Sequence, residues 1–582
     1  MIFITNGNKD FTDDLIEFGE DKVHWLQLWP VLNNDYYEKK FKNLTIHKYD
    51  EFISNKDHYF IEKEVDKFKY ETFKILKNKN FEINKLKISQ IFSYELNQPL
   101  SKLFFLILCI DKFLKLFPNS KNLVFAGFSE NRKTEILIKN SYVKTLINIL
   151  KTKHNLNFSY KSTIVLNKRV KFNDIIRNHF KTVKTNILKF GLKITINKIL
   201  IKLNNKVSVN SIIISNSTRC LERFYDLYRD KSKIYILDNY NYSYLNNKLD
   251  TYYDDNSLFF LEYKISNLRL NVLNYCINEF ENLKLFYKKT TKFILNNKPY
   301  IYITIDIMSS LNIVKMWAFK SNNVKIILSA ESLGLTSADI KLYNVLSSVL
   351  HPEINDIERW VVSEFSKKAI HENFNNVVVS GYLGRIMNLG QRSSNKSKTV
   401  LFCLSGAANN HVTRPIQDEN MFEILKSVTD LADILSNQNH LNLIIKTHPG
   451  ENLNIPLYAE AASKNKNTKI ICDGNLTKLL TDSDVVIVYD TSVALEALYL
   501  KKPVICYDYL NRPSNFSQVR DNIILNRDSS YLDIATNKSE LKEKINISLN
   551  SDFDLKNHKL SKYIENNCSH YSDEFILELI PN

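Results

Sequence analysis

Two patterns alternate along most of this chain: short runs of consecutive apolar residues, and longer stretches with apolar positions every three or four residues. Runs such as Leu441–Thr447 (LNLIIKT) and Val485–Tyr489 (VVIVY) have the length and composition of strands buried on both faces. Strands separated by helices imply parallel pairing and a doubly wound sheet.

From residue 207 the alternation is regular. It predicts strands at Ser211–Ser215, Lys233–Leu237, Tyr300–Asp306, Val324–Ser329, Trp360–Ser363 and Val377–Ser380. Helices are expected between them at Thr218–Arg229, Ile265–Leu295, Leu311–Lys320, Ile340–Leu350 and Ser366–Asn373. The polar segment Asn388–Ser397 reads as a linker. Beyond it the plan repeats, with strands at Thr399–Leu404, Leu441–Thr447, Lys469–Cys472, Val485–Tyr489 and Val504–Tyr507. Helices at Met421–Leu435, Pro456–Ser463, Leu476–Thr481 and Ser492–Leu500 connect them. The reading is therefore an α/β fold with two Rossmann-like domains facing across a cleft, residues 207–387 and 398–560, and a terminal helix in 561–582.

The first 165 residues also mix strand runs (Ile2–Thr5, His24–Leu28, Leu123–Ala126) with helical ones (Lys133–Leu150), an α/β accessory region without recognisable chemistry. Residues 166–206 differ. Ile176, Phe180, Val183, Ile187, Phe190 and Ile194 form one apolar stripe on a predicted helix. Ten lysines and arginines from Lys168 to Lys202 surround it, against one acid, Asp174. Such a helix suits an anionic bilayer interface, or packs on its own domain with a solvated basic face.

Composition narrows the classes. With 582 residues, 44% of them hydrophobic, the chain builds several cores and is not disordered. Seven scattered cysteines lack C-x-x-C or zinc-ligand spacing and read as reduced thiols of a cytoplasmic protein. The opening MIFITNG lacks the basic start of a signal peptide. The longest apolar run, Leu103–Ile110, falls short of the ~20 residues that span a bilayer. A net charge of +16 favours anionic partners. Without zinc-finger spacing or an RNA-module signature, nucleic acid is not the expected one.

Candidate chemistry concentrates at strand ends. Ser405-Gly406-Ala407-Ala408 follows the first strand of the second domain, where small residues let backbone N–H groups approach a phosphate. His448-Pro449 follows the second strand; the proline holds the histidine extended at the sheet edge, where its imidazole can donate to a phosphate oxygen. Asp490-Thr491-Ser492 opens a helix, a place for a cap or an anion. Glu496, one turn past Ser492, is placed to accept ribose hydroxyls or simply to face solvent.

The order K-x-H-P, strand, D-T-S-x-x-x-E-A, K-x-P-V-I in Lys446–Ile505 resembles the nucleotide-binding domain of GT-B glycosyltransferases of bacterial surface polysaccharide synthesis. It is similar to capsular Kdo transferases, polysialyltransferases and CDP-glycerol glycerophosphotransferases. The resemblance implies that His448, Thr491 and Ser492 hold the phosphate and nucleotide of an activated sugar donor, CMP-linked donors among the candidates. It also implies a growing lipid-linked glycan as acceptor, met at the inner face of the membrane.

An acceptor hydroxyl must lose a proton as the new bond forms. Glu331, in LSAESLG at a strand end, resembles the acidic position of Kdo transferases, and Asp306 at the preceding strand end competes for the role. No Asp-x-Asp sits at a suitable strand end, so transfer is expected to need neither metal nor cofactor. A CDP-glycerol polymerase, a sugar-nucleotide 2-epimerase and a non-catalytic carbohydrate-binding scaffold are the alternatives.

Overall fold

The computed structural model describes residues 1–6, 10–19, 21–32, 34–76, 81–93, 95–127, 142–161, 211–214, 221–228, 234–236, 257–305, 309–329, 336–337, 357–361, 367, 376–380, 383, 397–405, 420–438, 440–448, 451, 454–489, 491, 493–500, 502–510, 517–520, 523–527, 533–550 and 573–578. The predicted basic helix of 168–202 lies outside them, as do the predicted helices over 340–350 and most of 366–373.

Three parallel sheets dominate. The N-terminal one is built from β1 (Ile2–Thr5), β2 (Val23–Gln27), β3 (Leu44–Lys48), β4 (Asn122–Ala126) and β5 (Asn157–Lys161), in the order β3-β2-β1-β4-β5. The middle sheet comprises β6 (Ile212–Ile214), β7 (Ile234–Ile236), β8 (Ile301–Thr304), β9 (Lys325–Ser329), β10 (Glu358–Val361) and β11 (Val377–Val379). Its order is β11-β10-β9-β8-β6-β7. The third holds β12 (Lys398–Cys403), β13 (Leu441–Lys446), β14 (Thr468–Ile471), β15 (Val485–Val488), β16 (Val504–Tyr507) and β17 (Asp533–Ala535), ordered β14-β13-β12-β15-β16-β17.

Each order reverses once. In the third sheet the chain steps from β12 through β13 to β14 on one side, then returns to pair β15 against the other side of β12. That is the nucleotide-binding strand order of doubly wound folds, with its crevice where the direction reverses. Helices cover both faces, which is why β15 is buried at all four positions and reads as an unbroken apolar run. The helix Met421–Leu435 begins in a capping box: the Asn420 side chain accepts from the Glu423 N–H at 3.0 Å, and the Glu423 carboxylate accepts from the Asn420 N–H at 2.8 Å.

The N-terminal region is a third doubly wound unit, and it is tied to both others. Glu95 accepts from Tyr275 Oη at 2.6 Å and from the Ser310 N–H, the first of a middle-domain helix, at 2.9 Å. Buried Asp111 accepts from Tyr263 at 2.8 Å and pairs with Lys153 and Lys115. Tyr49 meets Phe422 of the third unit edge-on at 5.7 Å. At the far end of the chain, helix Asp573–Glu578 returns to the middle unit, where Tyr228 donates to the Leu577 carbonyl at 2.9 Å.

Among the strands that the sequence pattern missed are Leu44–Lys48, Asn157–Lys161, Asp533–Ala535 and the three of a small sheet. Thr336–Ser337 pairs with Ser517–Arg520, which pairs antiparallel with Ile523–Arg527, so a small sheet joins residue 336 to residue 518. The two-residue strand carries no periodicity to read, and the other two mix polar and charged residues among their apolar ones. Among the described residues no helix is long and apolar enough to cross a membrane.

The N-terminal sheet carries a pH liability. The rings of His24 and His47 lie 5.8 Å apart, and His24 stacks on Phe117 at 3.8 Å. Burial first, then the charges of His47, Lys22 and the N-terminus, hold His24 below the usual histidine range; burial does the same to His47 against the opposing pull of Glu51. The unfolded chain therefore binds these protons at higher pH than the folded one, so their contribution to stability is full above about pH 6.5 and declines as the pH falls through it. Thermal melts between pH 7.5 and 5 should show the midpoint dropping, and a His24→Phe variant should show a shallower drop; identical slopes would remove His24 from the account.

Candidate active site

The carboxyl ends of β12, β13 and β15 define the site. Parallel register pairs Cys403 of β12 with Lys446 on one side and Val488 on the other, so the three strands end level and about 4.8 Å apart. Two residues beyond Cys403 stands Ser405, and two beyond Lys446 stands His448. Three beyond Val488 stands Thr491. Ser405 and Thr491 are half-buried and His448 is exposed, so all three side chains lie at one edge of one sheet, at its reversal of order. Gly406, Pro449, Asp490 and Ser492 fall outside the described residues, as do Asp306 and Glu331 at the end of β8 and just past β9.

The turn carrying His448 is held from below. Its carbonyl accepts from the Glu451 N–H at 3.2 Å and from the Cys472 thiol at 3.5 Å. Buried Glu451 in turn accepts from Tyr458 Oη at 2.7 Å. The imidazole is thus displayed on a braced backbone and remains open to solvent. Thr491 serves its own helix: its hydroxyl accepts from the Val493 N–H at 3.4 Å and its carbonyl from the Ala494 N–H at 3.2 Å. That is the work of a cap.

Beneath the edge the structure brings together opposite charges. Lys446 is 8% exposed, and its ammonium donates to the carbonyls of Thr447 and Cys472, both at 2.7 Å. Glu496 is 4% exposed, which sets aside its reading as a solvated helix residue. Both flank Cys403, whose thiol is pushed up to about 12 by burial, with Lys446 opposing and Glu496 adding to the shift. Lys446 therefore does structural work that its place in the K-x-H-P segment did not reveal. It staples the end of β13 to the end of β14. The available signal was strand alternation: Leu441, Leu443 and Ile445 point to one face, and Lys446, the last strand residue, ends up covered by the neighbouring strand end.

On the β14 side of this staple lies a cavity of about 590 Å³ lined by Ile471, Cys472, Asp473, Gly474, Asn475 and Lys478 among others. Gly474 sits at φ +145°, a backbone conformation that a side chain would strain. Because Cys472 bonds to the His448 carbonyl, this cavity and the imidazole share one scaffold. The described residues include no group of three or more His, Cys, Asp or Glu placed to hold a metal.

The N-terminal sheet has the same reversal of strand order. At its reversal, between β1 and β4, the Asn6 N–H donates to the Ala126 carbonyl at 3.2 Å. Gly127 there adopts φ +73°, and a Cβ would meet the Phe11 ring at 2.9 Å. Phe11 belongs to an aromatic cluster with Phe3 and Trp25. An aromatic side chain packs where the third sheet presents polar groups.

Fold and site together define a GT-B-like α/β protein: two Rossmann-like units, the second carrying the polar strand ends, and a C-terminal helix that returns to the first. Residues 392–509 match a family model described as "Capsule polysaccharide biosynthesis protein". That segment contains Ser405, His448, Thr491 and Glu496, and it includes the stretch whose motifs resemble surface-polysaccharide glycosyltransferases.

No curated protein matches the chain. Among solved structures it is similar to S. aureus MnaA with UDP, at 13% identity over 64% of this chain and 98% of that one, with a TM-score of 0.40. It is also similar to UDP-GlcNAc 2-epimerase from Neisseria meningitidis bound to UDP-GlcNAc (10%, 64% and 98%, TM-score 0.39) and to the lipopolysaccharide outer core galactosyltransferase WaaB (11%, 64% and 97%, TM-score 0.37).

The staple is directly testable. Lys446→Met removes a buried ammonium that serves two carbonyls and should cost about 1–3 kcal/mol of unfolding free energy. Denaturant unfolding measures it, and wild-type stability in that variant would show that the two carbonyls need no donor.

Proposed function

We propose that this chain is a glycosyltransferase that moves a sugar from a nucleotide-activated donor to a growing surface polysaccharide. The observation that carries the reading is the placement of Ser405, His448 and Thr491 at the carboxyl edge of one sheet, inside the segment that matches the capsule-biosynthesis family. In this reading the donor phosphate lies against that edge and the nucleotide extends toward the cavity beside Cys472.

The chemistry asked of the site is modest. An acceptor hydroxyl oxygen attacks the anomeric carbon, the bond from that carbon to the phosphate oxygen breaks, and the nucleotide leaves with the bonding electrons. Its developing negative charge meets the imidazole of His448, exposed on a backbone that does not have to reorganise. The buried Lys446 adds positive charge to the same strand end, one layer down. The proton lost by the acceptor goes to a carboxylate of the middle unit, Glu331 or Asp306. The acceptor is a lipid-linked glycan met at the inner face of the membrane, the donor a CMP- or other nucleotide-linked sugar, and no metal takes part.

Donor hydrolysis and transfer should be assayed with a panel of CMP-, CDP-, UDP- and GDP-linked compounds. His448→Ala should lower turnover on the order of 10²-fold, the cost of one preorganised donor at developing charge. Its melting temperature should stay at the wild-type value because the side chain is exposed. Near-wild-type turnover removes His448 from the site; no turnover of any donor by the wild type favours a non-catalytic carbohydrate-binding role.

The base is separable from the donor site. Glu331→Gln should abolish transfer and leave donor affinity intact. Activity in Glu331→Gln together with a dead Asp306→Asn passes the role to Asp306.

A further inference from the structure

The helix Ser266–Asn297 spans 32 residues, about 48 Å at 1.5 Å per residue, and its last turns differ from the rest. Glu279 and Glu281 are its last acids; from Asn282 to Lys298 the sequence has Lys284, Lys288, Lys289, Lys292 and Lys298 and no carboxylate. Leu283, Phe286, Phe293 and Ile294 bury the inner face. The outer face, at steps of three and four residues, carries Leu285, Lys288, Lys289, Lys292 and Leu295, all exposed. Leu285 is 42% and Leu295 61% accessible. Among the described residues no carboxylate pairs with Lys288, Lys289 or Lys292, whereas Lys284 pairs with Glu281 at 2.7 Å.

The surface beside this face is also basic. Tyr287 bonds to Ser321 at 2.9 Å and to the Asn84 amide at 3.0 Å, and the Asn84 carbonyl accepts from Trp317 Nε1 at 3.0 Å. These bonds bring up the hairpin bearing exposed Lys85 and Lys87, with Glu82 as its acid, and Lys320, which lies over the Trp317 ring at 5.4 Å.

We propose that this face docks on an anionic lipid bilayer. Lysines alone would make a solvated surface, but two leucines share their line, one at each end of the lysine group. An acid-free basic face with apolar residues at its ends matches a bilayer surface, where leucines enter the acyl boundary and lysines meet the headgroups. A nucleic acid would call for a groove or an exposed stacking ring, and the five residues of this face offer neither. The helix ends just before β8, so the face lies toward the amino-terminal edge of the middle sheet. Docking there leaves the carboxyl edges open. The proposal is independent of the catalytic reading and of the basic segment at 168–202.

The test is sedimentation of the full chain with phosphatidylcholine vesicles, with and without about one third phosphatidylglycerol. Wild type should pellet with the anionic vesicles only and be released by salt. K288Q/K289Q/K292Q should lower partitioning on the order of 10²-fold, with an unchanged far-UV circular dichroism spectrum and melting temperature. L285S/L295S, which keeps every charge, should also weaken binding.

Three results would overturn the proposal: no binding of wild type to anionic vesicles, equal binding by the triple variant, or loss of binding in K181Q/K184Q/K189Q/K193Q with none in the triple variant. Retention of single-stranded RNA by wild type without vesicle binding would assign the face to nucleic acid instead.

Discussion

The pairing of β12 with a neighbour on each side is the constraint from which the rest follows. A parallel strand can be joined to its neighbour only by a crossover, and the chain takes crossovers first toward β14 and then toward β17. Where the two directions part, doubly wound folds leave a crevice outside the carboxyl ends of the strands, and the segments after β12, β13 and β15 start at its rim. Polar residues at those three ends therefore converge whatever the intervening helices do. Lys446 ties one of those ends to its outer neighbour, since one of the two carbonyls that its ammonium serves lies just past β14. The N-terminal sheet has the same reversal, yet Phe11 packs against Gly127 there. Strand order alone does not make a site; the side chains at the strand ends decide it.

Around that edge the other units act as a frame. The N-terminal unit is joined to the middle one through Glu95 and Asp111, carboxylates whose hydrogen bonds leave little freedom for sliding. It touches the third through Tyr49 and Phe422. Burial pushes Glu279 up to about 7, with the Glu95 charge adding to the shift, so this junction carries a carboxyl that titrates near neutrality. The C-terminal helix closes the loop by binding back to Tyr228.

Much of this was legible in the sequence because buried parallel strands announce themselves. Val485–Val488 and Ile212–Ile214 are apolar throughout, and the helix Met421–Leu435 has an amphipathic period and its cap in plain view. His448 was legible for the same reason: it follows an unmistakable strand. The structural part of Lys446 is not legible from its motif, because a lysine's burial is set by the neighbouring strand end, which no local pattern encodes. Glu496 shows the same limit, since helix position alone allowed a solvated face and the fold buries it. The small sheet joining Thr336–Ser337 to Ser517–Arg520 was illegible, as its strands are short and its pairing is nonlocal.

The central claim is that the nucleotide of an activated donor is held at the carboxyl ends of β12, β13 and β15. Amide hydrogen exchange of the full chain, with and without saturating CMP, CDP, UDP or GDP, addresses it without depending on turnover. At least one nucleotide should slow exchange in peptides spanning Cys403–Ser405, Lys446–His448 and Val488–Ala494 while leaving those around Asn6 and Gly127 unchanged. Protection by none of the four, or protection confined to the N-terminal sheet, would contradict the account.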